Sequence, residues 1–302
     1  MAEATGSMAF SELYGLLVTR FSAGTTAAKA TVNLAYMRFL RSYDWSFLKP
    51  VATLELWYSI AADEDNTVTS SGEGGTTLTA ESAIFHSTMV GATITIAEVD
   101  YTITAYTSST VVTISAAPSA SGATFTMTPD GTYPLPDDFQ EIEEPFSYAA
   151  SSGYRFLNER TTKQILDMRA DSDQSGYPDY YAIEPKAFVA ATGQRWQVRV
   201  YPTPSNDVTL TYRYKVIAAD MTSDGEYPRG GGYHALTIGY MALADEELTQ
   251  GRVAGPYQVI AKDMLDEDIR LEKERLSGVV RPPVSPQSTE TILTVRNLPA
   301  SD

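Results

Sequence analysis

No lysine or arginine occurs between Lys49 and Arg155. Residues 50–154 nonetheless hold 14 acidic side chains, from Glu55 to Glu144, and so carry −14 of the chain's −16. The remainder, with 22 basic and 24 acidic residues, is close to neutral. So sharp a shift in composition marks a separately folded middle segment. It also argues against sequence-specific DNA binding, because neutralising phosphates needs basic clusters.

The flanks of this segment read as helices. Phe10, Leu13, Leu16 and Leu17 recur at helical spacing within residues 8–20. After Ser22-Ala23-Gly24, Thr25 is the expected cap of a second helix over about 26–43, with Ala28, Val32, Ala35, Phe39 and Leu40 on one side. Near the other terminus, residues 233–249 are rich in Ala, Leu, Met and Glu. Gly255-Pro256 then starts a fourth helix, whose predicted apolar face is Val259, Ile260, Met264, Leu265 and Ile269. Gly278 and Pro282-Pro283 end it. Two helices from each end are expected to bury their apolar faces together as a helical bundle.

Between the helices the pattern changes to strands. Residues 92–96, 100–106 and 110–115 alternate β-branched and small polar residues, and 123–128 adds another candidate. Residues 66–129 therefore read as a small all-β module inserted into a host domain. Further strands are expected at 180–190, 195–201 and 207–217, and a helix at about 159–171. The fold class is α+β: a helical bundle from both ends of the chain, an antiparallel β region and the inserted module. The expected division is 1–60, 61–131, 132–278 and 279–302. The last piece is Pro-rich and then apolar. Ile292, Leu293, Val295 and Leu298 have nothing within it to pack on, which suits an extended arm that orders on a neighbour.

Candidates for chemistry are few. The chain has no cysteine, which excludes disulfides, thiol catalysis and cysteine metal sites. His86 and His234 are its two histidines. His86 lies in the β module far from any second histidine and reads as a surface or satisfied residue. His234 follows a glycine run at a helix start, but the Lys-Ser/Thr of a phosphate loop is absent, so the run reads as a hinge. Residues 171–176 open like a calcium loop, yet the twelfth position is Ala182 where a bidentate glutamate is needed. Asp137-Asp138 follows Pro134-Leu135-Pro136 and reads as a rigid extended turn. No candidate amounts to an active site. No cofactor, metal or catalytic residue is expected, and the chain is read as non-enzymatic. The N-terminus has no basic start followed by an apolar run, so no signal peptide is expected, and no stretch is oily enough for a membrane span.

The order of the pieces carries a resemblance. Two N-terminal helices end in Tyr43-Asp44-Trp45-Ser46-Phe47-Leu48. A β region opens with Tyr133-Pro134-Leu135-Pro136-Asp137-Asp138-Phe139. A strand pair, Trp196–Tyr201 and Val208–Tyr214, surrounds Pro202-Thr203-Pro204, and paired helices follow Tyr227-Pro228. This resembles the head-to-tail adaptor, or connector, proteins of tailed bacteriophages over residues 8–60 and 130–278. The 66–129 stretch is similar to small β modules that decorate phage virion proteins.

The resemblance implies a structural virion protein at the head–tail interface, assembled in the host cytoplasm. It implies a homo-oligomeric ring, expected to be a dodecamer, bound to the portal protein on one side and to a tail or nozzle protein on the other. Double-stranded DNA would pass through the ring during ejection without specific binding. Phe39, Leu40, Ile260, Met264 and Leu265 are expected on the subunit-packing helices, and Ile292, Leu293, Val295 and Leu298 on the portal-binding or neighbour-binding arm. Two other readings stand beside it. One is a different tail or baseplate component. The other is an acidic carbohydrate-active enzyme, which would need two carboxylates roughly 5–10 Å apart in a cleft. The sequence offers no such pair.

Overall fold

The computed structural model describes residues 7–277, apart from 64–65, 72–74, 119, 150–152, 155, 231, 233 and 253–254. The chain is α+β and divides into two compact units. One combines the segments up to Trp45 and from Met221 onward, and the other is Ser46–Asp220. The described residues form the helices α1 (Phe10–Phe21), α2 (Thr25–Ser42), α3 (Thr162–Asp171), α4 (His234–Thr249) and α5 (Pro256–Leu276).

In the first unit α4 is buried on nearly every side and packs against α1, α2 and α5. Gly239 on α4 permits the closest approach: a Cβ there would stand 3.2 Å from Leu16 and 3.4 Å from Leu13 of α1. Phe10, Leu13 and Leu17 of α1 and Val32, Ala35 and Phe39 of α2 fill the interior, as their spacing predicts. Trp45 stacks on Phe39 with centroids 4.7 Å apart and donates Nε1–H to the Phe39 carbonyl at 3.0 Å. Gly24, not Thr25, is the N-cap of α2, and Thr25 is already helical. The segment leading to α4 is laced onto α2. Asn33 donates to the Met221 carbonyl and accepts its N–H, both at 3.0 Å, and the Tyr36 hydroxyl accepts the Arg229 N–H at 3.1 Å.

The second unit holds the strands. β1 (Val51–Leu56) leads into a barrel formed by β2 (Thr67–Ser70), β3 (Thr77–Ala80), β4 (Thr93–Ile96), β5 (Val99–Ser108), β6 (Val111–Ile114) and β7 (Ala123–Thr126). It closes in the order β2-β3-β6-β5-β4-β7. Val68, Leu78, Ile94, Ile103, Val112 and Phe125 are buried, one face of each alternating strand turned inward. The chain enters and leaves the barrel at neighbouring points, where Ile60 and Met127 exchange backbone hydrogen bonds of 2.8 and 3.0 Å.

Next come β8 (Thr132–Pro134), β9 (Phe139–Tyr148), β10 (Asn158–Glu159), β11 (Ser175–Gly176), β12 (Tyr180–Pro185), β13 (Trp196–Tyr201), β14 (Thr203–Pro204) and β15 (Val208–Val216). β1, β15 and β9 make an antiparallel sheet with β15 in the centre, and β10-β12-β13-β8 make a second sheet in which only the β10–β12 pair is parallel. β9 departs from the sequence reading, which ends in a rigid turn near Phe139. Three glutamates and a proline obscure the strand, and β15 supplies partners for two of the glutamates: Lys215 lies 3.4 Å from Glu141, and Arg213 3.3 Å from Glu144. Helix α3 starts with a capping box between Thr161 and Gln164.

Two outcomes are expected. Because the barrel's ends meet at Ile60 and Met127, replacing residues 61–126 with a short turn should leave the helical circular dichroism signal intact; its collapse would refute the excision. The second concerns Glu184, which accepts from Gln197 at 2.6 Å and from Arg199 at 2.8 Å. Burial alone would raise its carboxyl, but the hydrogen bonds of Arg199 and Gln197 and the charge of Arg199 outweigh it and hold the group below the usual carboxylate range. A depressed folded value adds stability above the unfolded pKa of about 4.3, which is lost as pH falls through the folded value. Glu184→Gln should therefore be less stable than the parent at neutral pH, with the gap closing in acid. A denaturation gap constant with pH would contradict this.

Candidate functional site

The surface of the helical unit is set by a polar cluster within it. His234 and Thr237, three residues apart on α4, face Asp268 on α5, and all three are buried. Asp268 Oδ2 accepts the Thr237 hydroxyl at 2.6 Å and lies 3.1 Å from His234 Nδ1. The imidazole also packs against Trp45 and Phe39, with centroids 5.4 and 5.5 Å away. Glu272, one turn beyond Asp268, is buried as well, with the Arg275 guanidinium 3.9 Å away. A slip of one turn between α4 and α5 would strand a buried carboxylate without partners, so these contacts fix both register and rotation.

The turn between the two helices is fixed by a second buried acid. Glu247 near the end of α4 accepts the Tyr257 N–H at 3.1 Å, so its carboxylate caps the positive end of α5. Its carboxylate lies against Gly255, where any Cβ would collide with it, which accounts for glycine at that N-cap.

This arrangement rotates α5 away from the orientation its apolar pattern predicts. Its buried residues are Ala261, Asp268 and Glu272. Met264, Leu265 and Ile269 are half-buried, Ile260 is 39% exposed and Val259 57% exposed. The cause is the reach of Asp268 to Thr237 and His234, which outweighs burial of two aliphatic side chains. Leu34 of α2, Leu236 and Leu248 of α4 and Leu276 of α5 are also exposed. A groove of about 250 Å³ among Arg38, Met241, Asp245, Leu248, Ala261 and Leu265 is bridged by an Arg38–Asp245 ion pair of 2.6 Å.

The residues singled out from sequence fall into distinct places. Phe39 and Leu40 are in the interior of the helical unit, while Ile260, Met264 and Leu265 reach its surface on α5. The arm residues Ile292, Leu293, Val295 and Leu298 lie outside the described residues. His234 is part of the buried cluster. The His86 ring lies 3.2 Å from Glu55 and 3.7 Å from Asp207. Asp137 pairs with Arg195 at 2.8 Å, and Asp138 accepts the Tyr214 hydroxyl at 2.9 Å. Among the described residues no group of three or more His, Asp or Glu is placed to hold a metal. Sequence reasoning missed Thr237, Asp268 and Glu272. The signal for the two acids is their helical spacing on the same side of α5 as Ala261, and Thr237 lies on α4 with no such signal.

A family model described as SU10 adaptor protein matches residues 116–283, more than half of the chain. No curated protein matches it.

Removing the Asp268 carboxylate should unlock α5. Asp268→Ala is expected to destabilise the protein by about 1–3 kcal/mol, the cost of leaving the buried Thr237 hydroxyl without its acceptor, and Asp268→Asn by less, since an amide can still accept from Thr237. Chemical denaturation followed by helical circular dichroism reads both. A loss below about 1 kcal/mol for the alanine variant would show that the cluster does not hold the helices.

Proposed function

The chain belongs to the SU10 adaptor protein family and is a structural component of a phage virion, and from that premise we propose that it closes into the ring joining the portal vertex to the tail. The observation carrying this reading is the exposed apolar surface of the helical unit, above all Val259 and Ile260. Large aliphatic side chains left exposed beside a buried carboxylate cluster suit a surface that another copy covers. In this reading Ile260, Met264 and Leu265 meet the neighbouring subunit, and Phe39 and Leu40 support that face from within. Twelve copies make the ring.

The segment 279–302 acts as the arm, with Ile292, Leu293, Val295 and Leu298 seating on the portal or on a neighbouring subunit. The opposite side of the ring receives the tail or nozzle protein. Double-stranded DNA passes through the centre without specific binding, since the cation-free stretch 50–154 repels phosphate instead of holding it. The barrel is a module added to the adaptor core. Assembly takes place in the host cytoplasm. No described helix is long and apolar enough to cross a membrane.

The test is a pair of charged substitutions on the exposed turn of α5. Sedimentation of the full-length chain should reveal a ring-sized species, and Val259→Asp with Ile260→Asp should reduce it to monomer with unchanged circular dichroism. Removing 279–302 should leave the subunit folded and abolish co-sedimentation with portal. A charged variant that still forms rings, or a truncated chain that still attaches, would refute the corresponding part of the assignment.

A further inference from the structure

A contact that closes a ring joins two different faces of the same chain, because a face that meets its own copy gives a pair and stops. The exposed aliphatic turn of α5 therefore needs a second face to cover it. Among the described residues of the helical unit, α1 exposes no large aliphatic side chain, and α4 carries no lysine or arginine. α2 offers both. Leu34 is 64% exposed, and Arg38 and Arg41 follow it on the same outward side. The helix holds three basic residues and no acidic one. Arg38 is held by Asp245 with half its side chain still exposed, and Arg41 makes no ion pair among the described residues.

The outward side of α5 carries the opposite charge. Beyond Val259 stand Asp263 and Asp266, both exposed and neither ion-paired among the described residues. Farther along, Arg270 is engaged by Glu267 and Glu274. The two faces also match in spacing. Leu34, Arg38 and Arg41 follow at intervals of four and three residues, and so do Val259, Asp263 and Asp266. On each helix the charges therefore stand about 6 and 10.5 Å beyond the aliphatic side chain. Laid side by side in the same direction, the helices set Leu34 against Val259, Arg38 against Asp263 and Arg41 against Asp266. The reverse direction keeps only the middle pair and sets Leu34 against Asp266 and Arg41 against Val259, two charges on aliphatic carbon. Two α5 faces would oppose acid to acid, and two α2 faces base to base.

We infer that the outward face of α2 in one copy covers the exposed turn of α5 in the next, the two helices running in the same direction. Leu34 on Val259 is the apolar centre of this contact, and Arg38 with Asp263 and Arg41 with Asp266 are its charged rim. The inference rests on the ring reading above and deepens it by naming the neighbour's surface, its register and its direction. Ion pairs at a solvated rim add little affinity, so here they select the partner face and fix the register.

Cross-linking of the full-length chain tests it without background, because the sequence has no cysteine. Leu34→Cys and Val259→Cys chains are mixed, assembled and oxidised. The mixture should give a covalent dimer on a denaturing gel, and neither variant alone should. Charge reversal supplies the second measurement. Arg41→Asp and Asp266→Arg should each raise the concentration needed for half-assembly, read by sedimentation, at least about fivefold, and the chain carrying both should return to within about twofold of the parent. A parent chain that sediments as a monomer would remove the ring reading and this contact with it. Rings that form while the mixture stays uncross-linked would overturn the α2–α5 contact and leave the ring standing. So would a cross-link in either variant alone, which would mean that like faces meet, or a double reversal no better than the single ones.

Discussion

Asp268 decides which way α5 faces. A carboxylate buried against Thr237 and His234 cannot be turned to solvent without leaving those two side chains unsatisfied, and it cannot be left unpaired without a cost of several kcal/mol. The helix is rotated to suit, which brings Glu272 inward beside it and leaves Val259 and Ile260 outside. Replacing a buried ionic cluster with aliphatic residues is often neutral or stabilising. The sequence instead keeps a polar contact between α4 and α5 inside and aliphatic side chains outside.

Charge is segregated just as firmly in the second unit. The cation-free stretch cannot neutralise its own carboxylates, so those near its ends take partners from the flanks. Lys49 pairs with Glu143, Arg195 with Asp137, Arg213 with Glu144 and Lys215 with Glu141. These pairs are partly exposed and individually weak, but together they tie β9 to the rest of the unit. In the barrel, Glu81 and Asp100 accept hydroxyls of Thr67 and Thr95. Its strands close on themselves, and it meets the rest of the unit where Ile60 pairs with Met127 and where His86 and Thr88 reach Glu55.

Much of this was legible in the sequence, and the losses have physical causes. The terminal helices were readable because Leu13, Leu17, Val32 and Phe39 obey helical spacing and do pack inward. The barrel strands from Thr93 onward were readable from their two-residue alternation. The facing of α5 was not, because its deciding partner lies 31 residues away on another helix. β9 was hidden by Glu141, Glu143, Glu144 and Pro145, which look unlike a strand until Lys215 and Arg213 of β15 and Lys49 ahead of β1 meet the three glutamates. β2 and β3 are four residues each, and barrel closure depends on β2 meeting β7 far along the chain.

The measurement that bears most directly on this account is an electron cryo-microscopy map of the virion neck at side-chain resolution. The account predicts a closed ring in which Val259 and Ile260 of every copy are covered by the helical unit of the next, with Asp268 still seated against Thr237. A map in which those two aliphatic residues face solvent, with copies meeting through their barrels alone, would contradict it.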